Sequence, residues 1–219
     1  MEEVDRGLAP ALAVQFGHRR QALNAGAFHV GWRLGVGEAE RIGGSIALGH
    51  LTSATLLATG EGFRSGGATA LRADAEVFVE IGRELRPDAA AAEVRRAIVA
   101  YGGALELVDL GNAGDGPEAV IAGNTFHRAV RFGPSRPQLP AEALEVRVLV
   151  NGEFCAAAPA PDDCAGRLAA AARLLDAVQE RFRPGDRVIT GAVVQVGVTD
   201  GDDVVADFGA LGRVQIAIT

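Results

Sequence analysis

Residues 145–158, EVRVLVNGEFCAAA, carry two runs of strand-forming residues parted by Asn151-Gly152. An Asn-Gly pair at that place supplies the left-handed backbone angles of a two-residue hairpin turn, so the segment reads as a β-hairpin. Outward from it the C-terminal stretch continues in strands: RVITGAVVQVGV (187–198), DVVADF (203–208) and RVQIAIT (213–219), parted by Asp-Gly and Gly turns. Toward the N-terminus, ADAEVFVEI (73–81) and ALELVDL (104–110) are also strand-like in composition. Between these lie helical patterns. Leu168, Ala171, Leu175, Val178 and Phe182 follow helical spacing behind the capping candidates Asp162 and Asp163, with Pro184-Gly185 as the stop. AAAAEVRRAIVAY (89–101) follows Pro87-Asp88, places Ala91, Val94 and Ile98 on one side, and is ended by Gly102-Gly103. Leu8 to about Ala27 forms an N-terminal helix, His29–Val36 a short strand, and Gly37–Gly67 loops with short elements. Strands dominate and helices are inserted, which predicts an α+β fold on a mainly antiparallel β-roll or sandwich with peripheral helices.

At 219 residues the chain can bury one substantial core, and it is read as a single catalytic domain over 1–219. Residues 1–60 supply the N-terminal helix and loop-rich segment, and 61–219 the β-rich core with the site. A formal charge of −7 with no basic stripe argues against nucleic acid as a partner. No run of about 18 apolar residues is present, and the start MEEVDRGLAP is acidic where a secretory signal is basic. A cytoplasmic protein without membrane contact is expected. Cys155 and Cys164 are too few for a zinc knuckle and read as small packing residues. All 21 basic residues are arginine, so Schiff-base chemistry on a lysine is closed.

Residues two apart on a strand share a face, so Asp74 and Glu76 project side by side. Glu106 lies between Leu105 and Leu107, where an unpaired charge is costly. Three convergent carboxylates suit a hard divalent cation such as Mg²⁺ or Mn²⁺, although acidic pairs also occur on solvated strand faces without one.

Six short motifs occur in order: GWRLG (31–35), DAE (74–76), LELVD (105–109), AGN (122–124), GDRVITGA (185–192) and FGALGRV (208–214). In this order and spacing the chain resembles the fumarylacetoacetate hydrolase superfamily, in its 2-hydroxypentadienoate hydratase and 4-oxalocrotonate decarboxylase branch. The resemblance runs from about Gly31 to the C-terminus. It implies that Asp74, Glu76 and Glu106 hold the metal, with Asp74 where glutamate is usual. It implies a lyase, a hydratase or decarboxylase, acting on a 2-oxo acid through a metal-chelated enolate, in a homo-oligomer. Two departures accompany the match: Arg33 stands where the family has lysine, and Gly123 where it has the aspartate before Asn124.

Arg33 stays charged and can clamp a carboxylate with two hydrogen bonds, so a substrate-holding role is expected of it. Asn124 and Gln195 are further candidates for substrate contact. His127, three residues after Asn124, is the first candidate for the acid/base, and His50 the reserve; on sequence grounds alone a satisfied surface or packing histidine is the commoner case for each. His18 and His29 read as structural and Trp32 as core. The altered polar positions leave open a diverged enzyme catalysing a dehydration or cyclisation, or a non-catalytic partner subunit.

Overall fold

A computed structural model describes residues 8–36, 46–111, 116–137 and 144–219. Its strands are β1 (His29–Gly35), β2 (Ala47–Thr52), β3 (Leu71–Ile81), β4 (Ile98–Asp109), β5 (His127–Phe132), β6 (Glu145–Val150), β7 (Glu153–Pro159), β8 (Arg187–Gly197), β9 (Asp203–Asp207) and β10 (Arg213–Ala217). Its α-helices are α1 (Ala9–Asn24), α2 (Ala91–Ala97), α3 (Pro117–Ala122) and α4 (Cys164–Ala177). The strands form a six-stranded sheet in the order β2-β1-β8-β3-β4-β5 and a four-stranded sheet in the order β10-β9-β6-β7. Neighbours in both sheets run antiparallel, except that β1 and β8 run parallel. Mixed sheets with few helices are the α+β architecture expected from the pattern of elements. Among the described residues no helix is long and apolar enough to cross a membrane.

The alternation of side chains along β3 and β4 gives the large sheet two different faces. Ala73, Ala75, Leu105 and Leu107 turn toward the small sheet and pack with Val146, Val148, Val204, Ala206 and Phe208. The residues between them, Asp74, Glu76 and Glu106, therefore turn the other way, because strand side chains alternate with a period of two. Farther along the first face, Val79 and Ile81 join Trp32, Leu34, Leu48 and Val188 in a further core beneath Leu12 and Phe16 of α1 and Leu168 and Leu175 of α4, while Leu51, Phe78, Ala104, Val130 and Ile189 pack on the carboxylate face.

Several sequence expectations change in the structure. The helix expected over 89–101 spans only Ala91–Ala97, and Ile98–Tyr101 already belong to β4. Its N-cap is Ala90, whose N–H donates to the Glu93 carboxylate, so Asp88 is not the cap. Gly102-Gly103 does not stop a helix; it lies inside β4 because aromatic rings approach the backbone there. A Cβ on Gly102 would fall 2.3 Å from the Phe78 ring, and one on Gly103 2.1 Å from the Phe208 ring. Within the stretch read as loops, Ala47–Thr52 forms β2, buried along its whole length. Burial on both faces removes the polar alternation by which a strand is recognised. Residues 37–45 of that stretch lie outside the described residues. The helix from Cys164 ends at Ala177, before Val178 and Phe182, with Asp163 as its cap accepting the Gly166 N–H at 2.8 Å.

Gly103→Ala is expected to destabilise the protein by about 1–3 kcal/mol through overpacking against Phe208. Urea denaturation checks it: the midpoint should fall at unchanged slope, and an unmoved midpoint would mean that the ring does not press on this backbone.

Candidate metal centre

Glu106 is brought to Asp74 by strand register. Asp74 pairs directly with Glu106 across β3 and β4, while Glu76 follows two residues along the same face. One carboxylate oxygen from each of the three lies within 4.8 Å of the others. All three side chains are buried, Glu76 and Glu106 completely. The triad read from the sequence is thus assembled in space.

Each carboxylate is held differently. Glu106 is the best compensated: Arg33 Nη2 donates to its Oε2 at 2.7 Å, Arg33 Nε lies 2.6 Å from Oε1, and His127 Nδ1 lies 2.6 Å from the same Oε1. Burial works to raise this carboxyl, but Arg33 and then His127 outweigh it and hold it at about 2. Asp74 accepts a hydrogen bond from Gln195 Nε2 at 2.8 Å, and burial together with the charge of Glu106 raises it to about 7. Glu76 accepts from the Gly191 N–H at 2.7 Å through Oε2, while its buried Oε1 has no hydrogen-bond partner. Burial and the Glu106 charge push Glu76 well above the ordinary carboxylate range.

These facts test whether a cation fits. With one guanidinium among three buried carboxyls, burial and the Glu106 charge disfavour the ionised forms of Asp74 and Glu76, and a divalent ion would stabilise both as carboxylates. The donors are all hard oxygens, suited to Mg²⁺ or Mn²⁺. The orphaned oxygen of Glu76 is a costly buried acceptor that a metal would satisfy. The residues fit the group.

Arg33, expected to hold a substrate carboxylate, directs its guanidinium into the protein. Besides Glu106, it donates through Nη1 to the carbonyls of Asn124 at 3.2 Å and Thr125 at 2.8 Å. A substrate contact would have to displace one of these bonds. Its stem crosses β2 at Gly49, where a Cβ would fall 2.5 Å from Arg33 Cγ and 2.7 Å from Asn124 Oδ1. The Asn124 amide is likewise occupied: Oδ1 accepts the His50 N–H at 2.8 Å and Nδ2 donates to the His50 carbonyl at 3.0 Å. Gln195, exposed on β8, lies at the cluster through its bond to Asp74.

The two histidines occupy distinct settings. His127 begins β5, and its buried ring spans from Glu106 to Thr55, with Nε2 at 2.8 Å from the Thr55 hydroxyl. A carboxylate on Nδ1 fixes the proton there in the neutral ring, leaving Nε2 as the acceptor facing Thr55. His50 lies on β2, not in a loop, and burial, reinforced by His127, lowers its pKa to about 3.

Sequence reading missed two contributors. Thr55 sits in the 3₁₀ turn Ser53–Thr55 and carries no motif. The segment Asn124, Thr125, Phe126 has φ values of 55°, 55° and 68°, three successive non-glycine residues in the left-handed region. Each such residue costs on the order of 1 kcal/mol. The Arg33 bonds to two of their carbonyls and the Asn124 clamp on β2 hold the turn that delivers His127.

No protein-family model matches the sequence, and no curated protein matches it. Solved structures do. The chain resembles 4-oxalocrotonate decarboxylase from Pseudomonas putida G7, complexed with magnesium and adipate, with a TM-score of 0.88. That likeness has 22% identity and covers 97% of this chain and 86% of the decarboxylase. Fumarylpyruvate hydrolase from Pseudomonas aeruginosa, in complex with Mn²⁺ and pyruvate, gives a TM-score of 0.67 at 15% identity, covering 86% of this chain and 88% of that one. 2-Hydroxyhepta-2,4-diene-1,7-dioate isomerase from Mycobacterium marinum gives 0.66 at 18%, covering 87% and 75%. The chain has the fold of the fumarylacetoacetate hydrolase superfamily. The three compared structures are those of a decarboxylase, a hydrolase and an isomerase, so one architecture houses several reactions.

The raised Asp74 carboxyl gives the metal-free protein a signed pH dependence. Asp74 keeps its proton to higher pH when folded than when unfolded, so its contribution to stability is lost as pH rises from about 4 to about 7. Glu106 has the opposite sign: its contribution is present above its unfolded pKa of about 4.3 and is lost as pH falls toward about 2. In chelator, the melting temperature of the wild type should therefore fall relative to Asp74→Asn across the upper window, and Mg²⁺ should recover the wild type more than the variant. Parallel curves for the two proteins would refute the assignment.

Proposed function

We propose that this chain is a divalent-metal-dependent enzyme of the fumarylacetoacetate hydrolase superfamily, a hydratase- or decarboxylase-type lyase acting on a 2-oxo acid. The observation that carries the reading is the buried triad Asp74, Glu76 and Glu106, with an unpartnered oxygen on Glu76 and with Asp74 and Glu76 in no ion pair among the described residues. Mg²⁺ or Mn²⁺ on these oxygens would supply a Lewis acid that stabilises negative charge developing on the oxygen of a 2-oxo acid.

The protein's own groups have separable tasks. Arg33 and His127 fix Glu106 in its ionised form and in one orientation, so that the charge is ready before substrate arrives. Gln195 orients Asp74 and presents an exposed amide beside the site. His127 is proposed as the acid/base through its Nε2 edge, with the Thr55 hydroxyl as the first group to give way to, or pass a proton from, a substrate. His50 is a poorer candidate, since burial keeps it neutral through the physiological range. The complete hydrogen bonding of Asn124 to His50 supports a positioning part for Asn124: it holds the turn from which His127 enters β5. Assembly as a homo-oligomer and a cytoplasmic location belong to the same proposal.

The Arg33–Glu106 pair also supports a second reading, a diverged enzyme running a dehydration or cyclisation. An arginine locked on a metal-binding carboxylate removes a flexible cation from the substrate side, and no lysine is present to replace it.

Calorimetric titration of chelator-stripped protein should detect Mg²⁺ or Mn²⁺ binding. Glu76→Gln is the variant of choice, because among the described residues Glu76 has no ion-pair partner whose loss would unfold the protein, and it should weaken binding by at least about tenfold. If the wild type binds neither ion, the site is wrong.

With metal bound, the enzyme should exchange the C3 protons of a small 2-oxo acid such as pyruvate or 2-oxobutyrate in D₂O, followed by proton NMR. His127→Asn should slow that exchange by about a hundredfold while leaving metal bound. Exchange at the wild-type rate would reduce His127 to a packing residue, and absence of exchange in the wild type would favour the second reading.

A further inference from the structure

Strand β8 is irregular where it passes the carboxylate cluster. It pairs with β3 at Glu76–Ala192 and again at Phe78–Ile189, so Thr190 and Gly191 together stand opposite the single residue Val77. An extra residue in one strand frees backbone groups from the ladder and re-aims them, a feature over-represented beside active sites. Each buried group freed in this way needs another partner.

At this bulge three of those groups are taken by side chains. The Val77 carbonyl accepts the Thr190 hydroxyl at 2.8 Å. The Gly191 N–H donates to Glu76 Oε2 at 2.7 Å. The Thr190 carbonyl, which belongs to the same peptide unit as that N–H, accepts a hydrogen bond from Arg167 Nη1 at 2.5 Å. One peptide plane is thus held at its oxygen by a guanidinium and at its nitrogen by a carboxylate of the triad.

Arg167 is the fourth residue of α4, where the positive end of the helix dipole disfavours a cation. It is half-buried, and among the described residues it enters no ion pair that would offset this cost. The backbone beneath it is fitted to it. Gly191 has a φ of 104°, and a Cβ there would fall 2.6 Å from Val36 Cγ2 and 3.3 Å from Arg167 Nη1. Glycine meets both requirements, the left-handed angle and the bare surface under the guanidinium.

We infer that Arg167 is a positioning residue for Glu76, acting through the Thr190–Gly191 peptide: it fixes Oε2 on the Gly191 N–H and so leaves Oε1, the oxygen without a hydrogen-bond partner, to face the cation. The inference rests on the proposed metal-dependent reading. A cation on a carbonyl oxygen polarises the whole peptide unit and makes its N–H a better donor, and hydrogen bonds linked in a chain reinforce one another. Without that anchor the Thr190–Gly191 peptide is free to turn, and the two oxygens of Glu76 lose their separate tasks.

Two measurements test it, one of them without metal. In the amide NMR spectrum of chelator-treated protein, the Gly191 proton should move upfield in Arg167→Met and return toward its wild-type position in Arg167→Lys, which keeps a charged donor for the Thr190 carbonyl. By calorimetric titration, Arg167→Met should weaken Mn²⁺ binding by about tenfold, the loss expected when a group that orients a ligand is removed, and Arg167→Lys should recover most of it. In a Glu76→Gln background the same Arg167→Met change should alter affinity by less than about twofold, because the route runs through Glu76. A part confined to anchoring α4 would lower the melting temperature while leaving the Gly191 resonance and the Mn²⁺ affinity in place, and that result overturns the inference. So does an undiminished tenfold loss in the Glu76→Gln background; in both cases the metal site stands. If the wild type takes up no Mn²⁺, the metal-dependent reading fails and the inference with it.

Discussion

The buried pair between Arg33 on β1 and Glu106 on β4 is the interaction on which the rest of the site depends. Both side chains are almost wholly removed from water. Removing either partner of such a pair costs about 3–5 kcal/mol, because the other is left as an uncompensated buried charge. Once the pair is present, much else is constrained. Arg33 needs a glycine on β2 to pass, and its remaining donors reach the carbonyls of Asn124 and Thr125. Those carbonyls belong to the left-handed turn that feeds His127 back onto Glu106. One ion pair thereby ties together four strands and a strained connection.

The two sheets explain how so many charges come to be buried together. Leucines at 105 and 107 and alanines at 73 and 75 are claimed by the interface with the small sheet, whose valines need an apolar surface to cover. Their neighbours are forced to the other face by strand geometry alone. Two adjacent antiparallel strands with acids at facing positions then give a carboxylate cluster without any unusual backbone in β3 or β4. The unusual backbone is kept for the connection at 124–126, where strain is held in place by side chains already committed to the cluster.

A second polar network steadies β1 from the opposite end. Asp186 accepts the Trp32 indole N–H at 2.8 Å through Oδ2, while its Oδ1 lies 3.0 Å from His29 Nε2. Arg19 of α1 lies over the Trp32 ring at 5.0 Å and pairs with Glu180 at 2.6 Å. Trp32 is adjacent to Arg33, so the packing that fixes the indole also fixes where the next side chain points. His29 and Trp32, read from the sequence as structural and core, have that use here.

The sequence by itself determined the hairpin at Asn151-Gly152, the strands at 73–81, 104–110, 187–198 and 203–219, the helix capped by Asp163, and the fact that Asp74 and Glu76 share a face. These are local properties, set by turn chemistry, capping and the period of two along a strand. The glutamate between two leucines was visible as an anomaly, and the order of six motifs pointed to the architecture. Only the tertiary structure decided what relieves that anomaly. The register that sets Glu106 against Asp74, the reach of Arg33 across 73 residues of sequence, and the hydrogen bonds that occupy Asn124 are long-range pairings with no local signature. The same reason hid β2, whose burial on both faces erases alternation, and the strand through Gly102-Gly103, where glycines serve two aromatic rings brought from elsewhere in the chain.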